Sequence, residues 1–313
     1  MHNHEPHFQD KFKISVIGCG NVGATAAHTM LLSGIPNELT LIDVNKDRAN
    51  GLLLDFQHSL SFLPYVKIEA GNDLKKTANS DLIVITAGAR QQPGQSRLDL
   101  INTNRAIFGK MIPQLAKHSP HSILLIVTNP VDVLTHEAWK LSKFPRERVF
   151  GTGTLLDTSR LQYHLSELLK INPRDIQAFI LGEHGDTSFP VWSSANIAGQ
   201  SIFKFPRFTQ KKADQCYIDT RNAAYRIIHD MGFTCYSIAI VIREIMKAIY
   251  EDARIVVPLS TVLKGQYGLR DVALSIPCVL GSRGIAETIE VPLSAKEKKL
   301  LQKSAATLKS FGR

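Results

Sequence analysis

A glycine-rich turn near the beginning of the sequence places the strongest constraint on the fold. Residues 12–17 form an apolar, β-branched run, and Gly18, Gly20 and Gly23 follow before a helical pattern begins at residue 24. In a strand, turn and helix of this kind, the first glycine tightens the turn, the second admits a pyrophosphate to the backbone, and the third allows close helix packing. The amino end of the helix offers N–H donors to the phosphates. The pattern favours a dinucleotide site, although three glycines at this spacing also occur in ordinary turns.

The residues around this turn point to NAD as the cofactor. Asp43 ends the next apolar run, twenty positions after Gly23. A carboxylate there accepts hydrogen bonds from the ribose hydroxyls and repels a 2′-phosphate, which favours NAD over NADP; a helix cap is the alternative role. We assign to the same site Asn21 and Val22 of the glycine turn (residues 18–23) and three residues at the end of a later apolar run, Thr86, Ala87 and Gly88.

Apolar runs that alternate with helical segments predict a parallel sheet for the first half of the chain. Such runs occupy residues 39–42, 81–87 and 122–127, and strands connected through helices form parallel pairs with right-handed crossovers. Further along the chain the pattern changes to long helices and short strands. We therefore predict an α/β protein, with a doubly wound parallel sheet of the Rossmann type over residues 1–150 and an α+β substrate domain over residues 151–313.

The composition is that of a globular protein without a membrane span or a disulfide framework. Hydrophobic residues make up 44% of the 313 residues and charged residues 21%, and no apolar run approaches the length of a membrane span. The amino-terminal residues lack the basic and then apolar order of a secretory signal. The four cysteines are scattered without a CxxC pair, which argues against a zinc site. We expect a cytoplasmic protein with reduced thiols, no metal and no membrane partner.

The net charge of +9 does not by itself indicate a nucleic-acid partner. The basic residues are dispersed, and no stretch interleaves them with aromatic side chains that could stack on bases. A basic protein attracts small anions equally well. We therefore expect small-molecule ligands, among them a dinucleotide and a small carboxylate, and no nucleic acid.

The segment LGEHGD, residues 181–186, indicates proton transfer. His184 lies there between two glycines and two carboxylates. An imidazole gains or loses a proton near neutral pH, and neighbouring glycines let other groups approach it closely. A surface histidine paired with its acidic neighbours is the alternative, so the rest of the chain must decide between the two.

Three further segments carry polar residues that suit a binding site. Asn129 lies in an Asn-Pro turn, where its amide could bond a ribose, a substrate oxygen or only its neighbours. Asp157 and Arg160 are three positions apart on a predicted helix and share one face, as a surface ion pair would also do. The polar loop over residues 88–97 is too long for a tight connection, and loops of this kind at the carboxyl ends of strands often close over a ligand.

Taken together, these segments resemble the L-lactate/malate dehydrogenase family. The resemblance rests on GCGNVG with Asp43, TNPVDVLT, GTGTLLDTSR and LGEHGD, which occur in the family's order across nearly the whole chain. The loop segment AGARQQPGQSRLDL is similar to that of the lactate branch. The resemblance implies reversible, NAD-dependent hydride transfer between a 2-hydroxy acid and a 2-oxo acid in a homotetramer, with a place in glycolysis and pyruvate fermentation.

The resemblance also implies a role for each polar residue of the site. His184 is expected to protonate the carbonyl oxygen of the 2-oxo acid, and Asp157 to hold its imidazole and favour the protonated form. Arg160 is expected to bind the substrate carboxylate through its two-pronged guanidinium. Arg97, on the closing loop, is expected to polarise the carbonyl, and Asn129 to bond the same oxygen.

Substrate choice is expected to depend on Gln91. This residue stands six positions before Arg97, where malate dehydrogenases of the family carry an arginine for a second carboxylate. An amide there leaves that carboxylate unpaired and favours pyruvate, although a slip of one residue would bring Arg90 to the same place. The resemblance further implies that Thr234 closes the pocket over the substrate methyl and that Ile238 packs on the nicotinamide.

Two neutral residues replace the cations by which many bacterial members of the family bind fructose 1,6-bisphosphate. Gln162 and Gln177 stand at these positions, and amides cannot anchor two phosphates. The resemblance therefore predicts L-lactate dehydrogenase activity that does not depend on this activator. The alternatives are a malate or other L-2-hydroxy-acid dehydrogenase, and a nucleotide-binding scaffold that has lost the reaction. The intact set of polar site residues argues against the scaffold.

Overall fold

The computed structural model describes residues 11–89 and 97–311. The strands are β1 (Lys13–Ile17), β2 (Glu38–Ile42), β3 (Lys67–Gly71), β4 (Leu82–Ile85), β5 (Ile123–Ile126), β6 (Val149–Gly151), β7 (Ile176–Gln177), β8 (Ile180–Leu181), β9 (Phe189–Pro190), β10 (Asn196–Ile197), β11 (Gln200–Ser201), β12 (Ile255–Lys264), β13 (Arg270–Gly281) and β14 (Gly284–Thr288). The helices are α1 (Asn21–Leu32), α2 (Lys46–Ser59), α3 (Arg97–His118), α4 (Val131–Ser142), α5 (Leu155–Leu169), α6 (Gln210–Met231), α7 (Tyr236–Tyr250) and α8 (Ala295–Ser310). Single turns of 3₁₀ helix occupy Leu60–Phe62, Leu74–Thr77, Arg146–Arg148, Pro173–Asp175, Ile202–Lys204 and Gln266–Gly268.

Six parallel strands form the first part of a nine-stranded sheet. Their order is β3-β2-β1-β4-β5-β6, and every pair of neighbours runs parallel. The order reverses between β1 and β4, so their carboxyl ends border the crevice where open α/β sheets bind ligands. The doubly wound parallel sheet predicted for this half of the chain is confirmed.

Buried apolar side chains cover both faces of the parallel sheet. In β4, Leu82 and Val84 belong to one buried cluster and Ile83 and Ile85 to another, because successive side chains of a strand point to opposite faces. The first cluster takes in residues of α1 and α7, and the second takes in residues of α3 and α4. A strand that is buried on both faces needs an unbroken apolar run, which explains why such runs in the sequence coincide with the strands.

The sheet continues into the second half of the chain with a change of direction. Ser260 of β12 pairs with Gly151 of β6 in the antiparallel sense, and β13 and β14 add two further antiparallel strands. Two smaller sheets, β11-β10-β7 and β8-β9, complete this half. The predicted second region of mixed helices and strands is confirmed, whereas the bounds 1–150 and 151–313 for the two domains remain predictions.

The helices of the second half enclose a separate buried cluster. A short non-helical segment separates α6 from α7. Leu161 and Leu165 of α5 pack in this cluster with Ala213 of α6. Helix α6 ends at Gly232, whose φ of 80° is a left-handed conformation that glycine adopts without strain, and α7 begins at Tyr236. Within residues 11–89 and 97–311, no helix combines the length and the apolarity needed to cross a membrane.

Candidate active site

The first and third glycines of the glycine turn are required by close packing. Gly18 has a φ of +97°, and a Cβ on it would lie 2.7 Å from the backbone nitrogen of Ala87. A Cβ on Gly23 would lie 1.8 Å from the carbonyl oxygen of Gly18. The turn is also bonded to the next strand, because the Gly18 N–H donates to the carbonyl oxygen of Ile42 at 2.7 Å. Any side chain at these two glycines would displace the backbone around the turn.

The second glycine, in contrast, borders open space at the beginning of α1. A Cβ on Gly20 would meet no described atom within 4 Å. Gly20 is the N-cap residue of α1, and among the described residues no side chain caps the helix and no acidic residue lies in its first turn, which Asn21 and Val22 begin. The N–H groups of this turn are therefore available to an anion, and the space above Gly20 leaves room for one. These residues fit the pyrophosphate of a dinucleotide.

Asp43 holds the glycine turn and leaves acceptor capacity for a ligand. Its Oδ2 accepts the Cys19 N–H at 2.7 Å, and its Oδ1 accepts the Asn45 N–H at 2.8 Å. The cap of α2 is Asn45, whose side chain accepts the Arg48 N–H, so the helix-cap alternative for Asp43 does not apply. Each carboxylate oxygen has a further lone pair that a ribose hydroxyl could use.

The residues after β4 form the opposite wall of the crevice. The Thr86 hydroxyl donates to the carbonyl oxygen of Gly18 at 2.8 Å, and the Thr128 hydroxyl donates to that of Ala87 at 2.8 Å. A Cβ on Gly88 would lie 2.3 Å from the Thr128 methyl group. The carboxyl ends of β1, β4 and β5 are therefore tied together by two threonine hydroxyls.

A buried asparagine on α3, which the sequence did not single out, supports the Asn-Pro turn. Asn104 is fully buried; its Oδ1 accepts the Ala89 N–H at 2.7 Å, and its Nδ2 donates to the carbonyl oxygen of Asn129 at 2.9 Å. Asn129 itself is exposed and precedes a cis peptide bond to Pro130. The only sequence signal for Asn104 is an amide among apolar helix positions.

The structure brings His184, Asp157 and Arg160 together. The Nδ1 of His184 lies 2.6 Å from Oδ2 of Asp157, and the Nη1 of Arg160 donates to Oδ1 of Asp157 at 3.0 Å. Helix α5 carries Asp157 and Arg160 one turn apart, and the histidine loop (residues 182–187) reaches them after β8. The His184 side chain is 27% exposed, whereas those of Asp157 and Arg160 are 14% and 13% exposed, so the imidazole is the most accessible of the three.

The charges of this group favour a protonated imidazole. Burial lowers the pKa of His184, but the Asp157 carboxylate outweighs it and Asp132 adds to the effect, so the pKa lies above its ordinary value. Burial raises the pKa of Asp157, but His184 and Arg160 outweigh it, so the pKa lies below its ordinary value. An ionised Asp157 beside His184 therefore favours the imidazolium form, which is able to donate a proton.

Side chains from distant parts of the chain hold the histidine loop. Asp132 accepts the His184 N–H at 2.7 Å, and the Ser304 hydroxyl of α8 accepts the Glu183 N–H at 2.6 Å. Gly182 has a φ of +92° and exchanges two backbone hydrogen bonds with Ser275 of β13. Sequence reasoning assigned no role to Asp132, Ser275 or Ser304, because no local pattern connects them with a histidine loop far away in the chain.

Two of the remaining predicted residues lie near the amino end of α7, and the other two lie wholly or partly outside the described residues. Thr234 is half-buried in the non-helical segment between α6 and α7. Ile238, in the first turn of α7, is partly buried against the apolar cluster that includes residues of α1 and α7. Arg97 is the first residue of α3, and its side chain is outside the described part of the structure. Gln91 lies in the segment 90–96, which is outside the described residues altogether.

The cysteine thiols and the possible metal ligands of the described residues form no further reactive or metal-binding group. All four cysteines are buried and free. Burial raises the pKa of Cys19, next to Asp43, to about 12, so this thiol in the glycine turn stays protonated and unreactive. Within the described part of the chain, no group of three or more histidine, cysteine, aspartate or glutamate residues could hold a metal ion.

Two sequence profiles of one family match the chain. The profile of the lactate/malate dehydrogenase NAD-binding domain matches residues 12–151. The profile of the lactate/malate dehydrogenase alpha/beta C-terminal domain matches residues 154–311. The first match contains the glycine turn and the second contains the histidine loop.

Similar proteins and a similar solved structure cover at least 95% of the chain. L-lactate dehydrogenase 1 from Clostridium acetobutylicum is 44% identical over 302 residues, which covers 95% of this chain and 96% of that protein. The L-lactate dehydrogenase of Acetivibrio thermocellus is 43% identical over 304 residues, which is 96% of each protein. The crystal structure of MGS-M5, a lactate dehydrogenase enzyme from a Medee basin deep-sea metagenome library, matches with a TM-score of 0.92 at 36% identity, covering 96% of this chain and 98% of that chain.

Proposed function

The chain belongs to the lactate/malate dehydrogenase family and takes NAD as its cofactor, and on this basis we propose that it is an L-lactate dehydrogenase that interconverts L-lactate and pyruvate. The observation that carries the proposal is the contact of His184 with Asp157, which in turn binds Arg160. A proton donor beside a carboxylate-binding guanidinium is what reduction of a 2-oxo acid requires. Relatives at 44% identity that are named L-lactate dehydrogenase support the same substrate.

His184 acts in this proposal as the acid and base of the reaction. Asp157 keeps the imidazole protonated and fixes its ring by binding Nδ1, which leaves Nε2 as the position that faces the substrate oxygen. In pyruvate reduction Nε2 donates its proton to the oxygen, and in lactate oxidation it accepts the hydroxyl proton. Bound NADH supplies the hydride that adds to the carbonyl carbon.

Arg160 and Asn129 orient the substrate. One Nη of Arg160 is engaged by Asp157, and the rest of the planar guanidinium can bind the substrate carboxylate in a two-pronged manner. Asn129, at the exposed end of the Asn-Pro turn, bonds the substrate oxygen. Arg97 polarises the carbonyl, a role that rests on the sequence because its side chain lies outside the described residues.

The direct test is an assay of NADH absorbance with purified protein. Addition of pyruvate is expected to consume NADH, and His184→Ala is expected to lower turnover by roughly 10²- to 10⁴-fold while NADH binding persists. His229→Ala is a matched control, since His229 pairs with Asp230 at 2.9 Å but is exposed on α6, and it should leave turnover unchanged. A protein that binds NADH without consuming it on addition of any 2-oxo acid would support the scaffold alternative instead.

Selectivity for pyruvate over oxaloacetate is proposed to depend on Gln91. The alternative function, a malate or other L-2-hydroxy-acid dehydrogenase, differs in whether a cation stands in this place. The wild-type protein is expected to have a higher kcat/KM for pyruvate, and Gln91→Arg is expected to shift the preference towards oxaloacetate. A large wild-type preference for oxaloacetate would refute this role of Gln91.

Activity is proposed to be independent of fructose 1,6-bisphosphate. The Gln162 amide donates to the carbonyl oxygen of Ile176, next to Gln177 on β7, so this surface presents two neutral amides where a bisphosphate would need cations. Turnover at low pyruvate should be the same with and without the sugar bisphosphate. A strong activation at millimolar or lower concentration would overturn this part of the proposal.

The cellular setting and the assembly are part of the same proposal. We place the reaction in cytoplasmic pyruvate fermentation, at the end of glycolysis, and the four free thiols suit a reducing compartment. The large apolar side chains exposed on α2, α6 and α7, among them Leu54, Ile228 and Tyr236, suit burial in a homotetramer. Sedimentation should give about four times the chain mass of 34.7 kDa.

A further inference from the structure

A buried carboxylate holds the main chain of His184. Asp132 is the second residue of α4 and is only 2% exposed. Its Oδ2 accepts the His184 N–H at 2.7 Å, and its Oδ1 accepts the hydroxyl of Ser260, on β12, at 2.6 Å. Asp132 therefore connects the Asn-Pro turn of the first half of the chain with two segments of the second half.

Burial of this carboxylate is unfavourable by itself, so its two hydrogen-bond donors must compensate. Burial raises the pKa of Asp132 to about 6, although the Ser260 hydroxyl and the His184 N–H act to lower it. The first turn of α4 contributes as well, because the amino end of a helix favours negative charge. An ionised acceptor with two directed donors and little access to water holds those donors in one geometry.

Asp132 also relates two of the proposed substrate contacts to each other. Asn129 lies three residues earlier, in the Asn-Pro turn before α4, and the Asn104 amide donates to its carbonyl oxygen at 2.9 Å. His184 is held from the first turn of α4, where Asp132 accepts its N–H. Asp132 therefore bonds the main chain of His184 and lies three residues after Asn129 in the sequence.

We propose that Asp132 is a positioning residue for the dehydrogenase reaction: its carboxylate anchors the His184 main chain so that the imidazole and the Asn129 amide converge on one substrate oxygen. The inference rests on the proposed function. Asp132 touches neither substrate nor cofactor in this scheme and acts only through His184. The contact with Asp157 orients the ring, whereas the contact with Asp132 sets where the ring is attached.

Several charged groups lie near Asp132. On the histidine loop these are His184 and Glu183, and beyond His184 lie Asp157 and Arg160. Asp132 also lines a cavity of about 400 Å³ bordered by α3, α4, β13 and the end of α8, whose other charged or titratable residues are Arg105, His136, Glu137, Lys140, Asp271 and Lys309. The variants below leave all of these in place, so a change in the titration of His184 reports on residue 132.

Two substitutions separate the hydrogen bond from the charge. Asp132→Ala removes both, whereas Asp132→Asn keeps an oxygen that can accept the His184 N–H and loses the charge. Thr135→Val is the matched control, because Thr135 is fully buried on the same helix and its hydroxyl has no hydrogen-bond partner among the described residues. Each purified full-length variant is compared with wild type for NADH binding, for kcat and KM with pyruvate across pH, and for the imidazole titration of His184 by NMR.

Asp132→Ala is expected to lower kcat by about 100-fold, since a displacement of about 1 Å in a reacting group costs this much. Its affinity for NADH should stay within about 2-fold of wild type, because the carboxylate of Asp132 bonds His184 and Ser260 and not the glycine turn. Asp132→Asn should recover most of kcat. In Asp132→Asn the decline of pyruvate reduction with rising pH should occur at lower pH than in wild type, because a negative charge that favours protonated His184 is gone. Thr135→Val should change none of these quantities.

The inference is overturned if Asp132→Asn has no more activity than Asp132→Ala, or if turnover and NADH affinity fall together. If Asp132→Ala does not fold, Asp132→Asn decides. Retained turnover together with a lowered pKa of the His184 imidazole supports the inference, and an unchanged pKa overturns it. The proposed function fails separately, when wild-type protein reduces no pyruvate. In that case the NMR titration of His184 in Asp132→Asn still tests the contact.

Discussion

The glycine turn and the histidine loop are two short backbone segments built in different ways. The glycine turn takes its shape from the absence of side chains and from the ends of neighbouring strands: a Cβ on Gly23 would meet a carbonyl oxygen at 1.8 Å. The histidine loop takes its shape from the side chains of other elements, Asp132 on α4, Asp157 on α5 and Ser304 on α8. The first is shaped by contacts of the local backbone, and the second is an assembly of distant side chains around one imidazole.

Among the residues that hold the histidine loop, the largest effect is expected at Asp157, because both the orientation and the charge of His184 depend on it. Asp157→Asn should lower kcat for pyruvate reduction by roughly 100-fold or more, the scale on which a general acid contributes. NADH binding should persist, since Asp157 makes no contact with the glycine turn. Stopped-flow single turnovers with NADH and pyruvate measure the loss directly.

The pH dependence of the same variant follows from the direction of the pKa shift. In the proposed mechanism reduction needs protonated His184. Because the pKa of His184 is raised on balance, wild-type reduction is expected to continue above the ordinary imidazole range and to decline as the pH rises through that raised pKa. Without the Asp157 charge the decline should occur at lower pH. An unchanged pH profile in Asp157→Asn would mean that another group is the proton donor.

Two glycines of the glycine turn are expected to respond differently to substitution by alanine. Gly23→Ala should destabilise the fold by about 1–3 kcal/mol or more, because its Cβ meets backbone that cannot move aside. Gly20→Ala should leave stability within about 0.5 kcal/mol of wild type, because no described atom lies near its Cβ. It should still weaken NADH binding by about 10-fold, or about 1.4 kcal/mol, by filling the space above α1.

Thermal unfolding and NADH titration of the two variants make this comparison. The predicted pattern is loss of stability in one and loss of affinity alone in the other. Equal affinity for NADH in Gly20→Ala and wild type would show that the space above Gly20 is not where the pyrophosphate binds.

The difference between the glycine turn and the histidine loop also explains which features could be predicted from the sequence. The doubly wound sheet and the glycine turn were predictable, because strands buried on both faces need apolar runs and because Gly18, Gly20 and Gly23 lie within six residues of one another. The contact between His184 and Asp157 joins residues 27 positions apart and was expected only through family resemblance. The contact of Glu183 with Ser304 spans 121 positions and had no signal at all, since a serine on an amphipathic helix is ordinary.

The smallest of these effects is expected at Gly182, where local strain and long-range packing can be separated. Gly182 has a φ of +92°, and a Cβ on it would lie 2.7 Å from the Ser304 hydroxyl that accepts the Glu183 N–H. Gly199, in the turn between β10 and β11, has a φ of +79° but nothing within 4 Å of its Cβ, so Gly199→Ala shows the strain alone. Both alanine variants should lose about 1–3 kcal/mol of stability through strain, and only Gly182→Ala should also lose turnover, by a few-fold. If Gly199→Ala lowered turnover equally, the loss would be a general effect of destabilisation, and the packing of α8 against the histidine loop would have no specific part in the reaction.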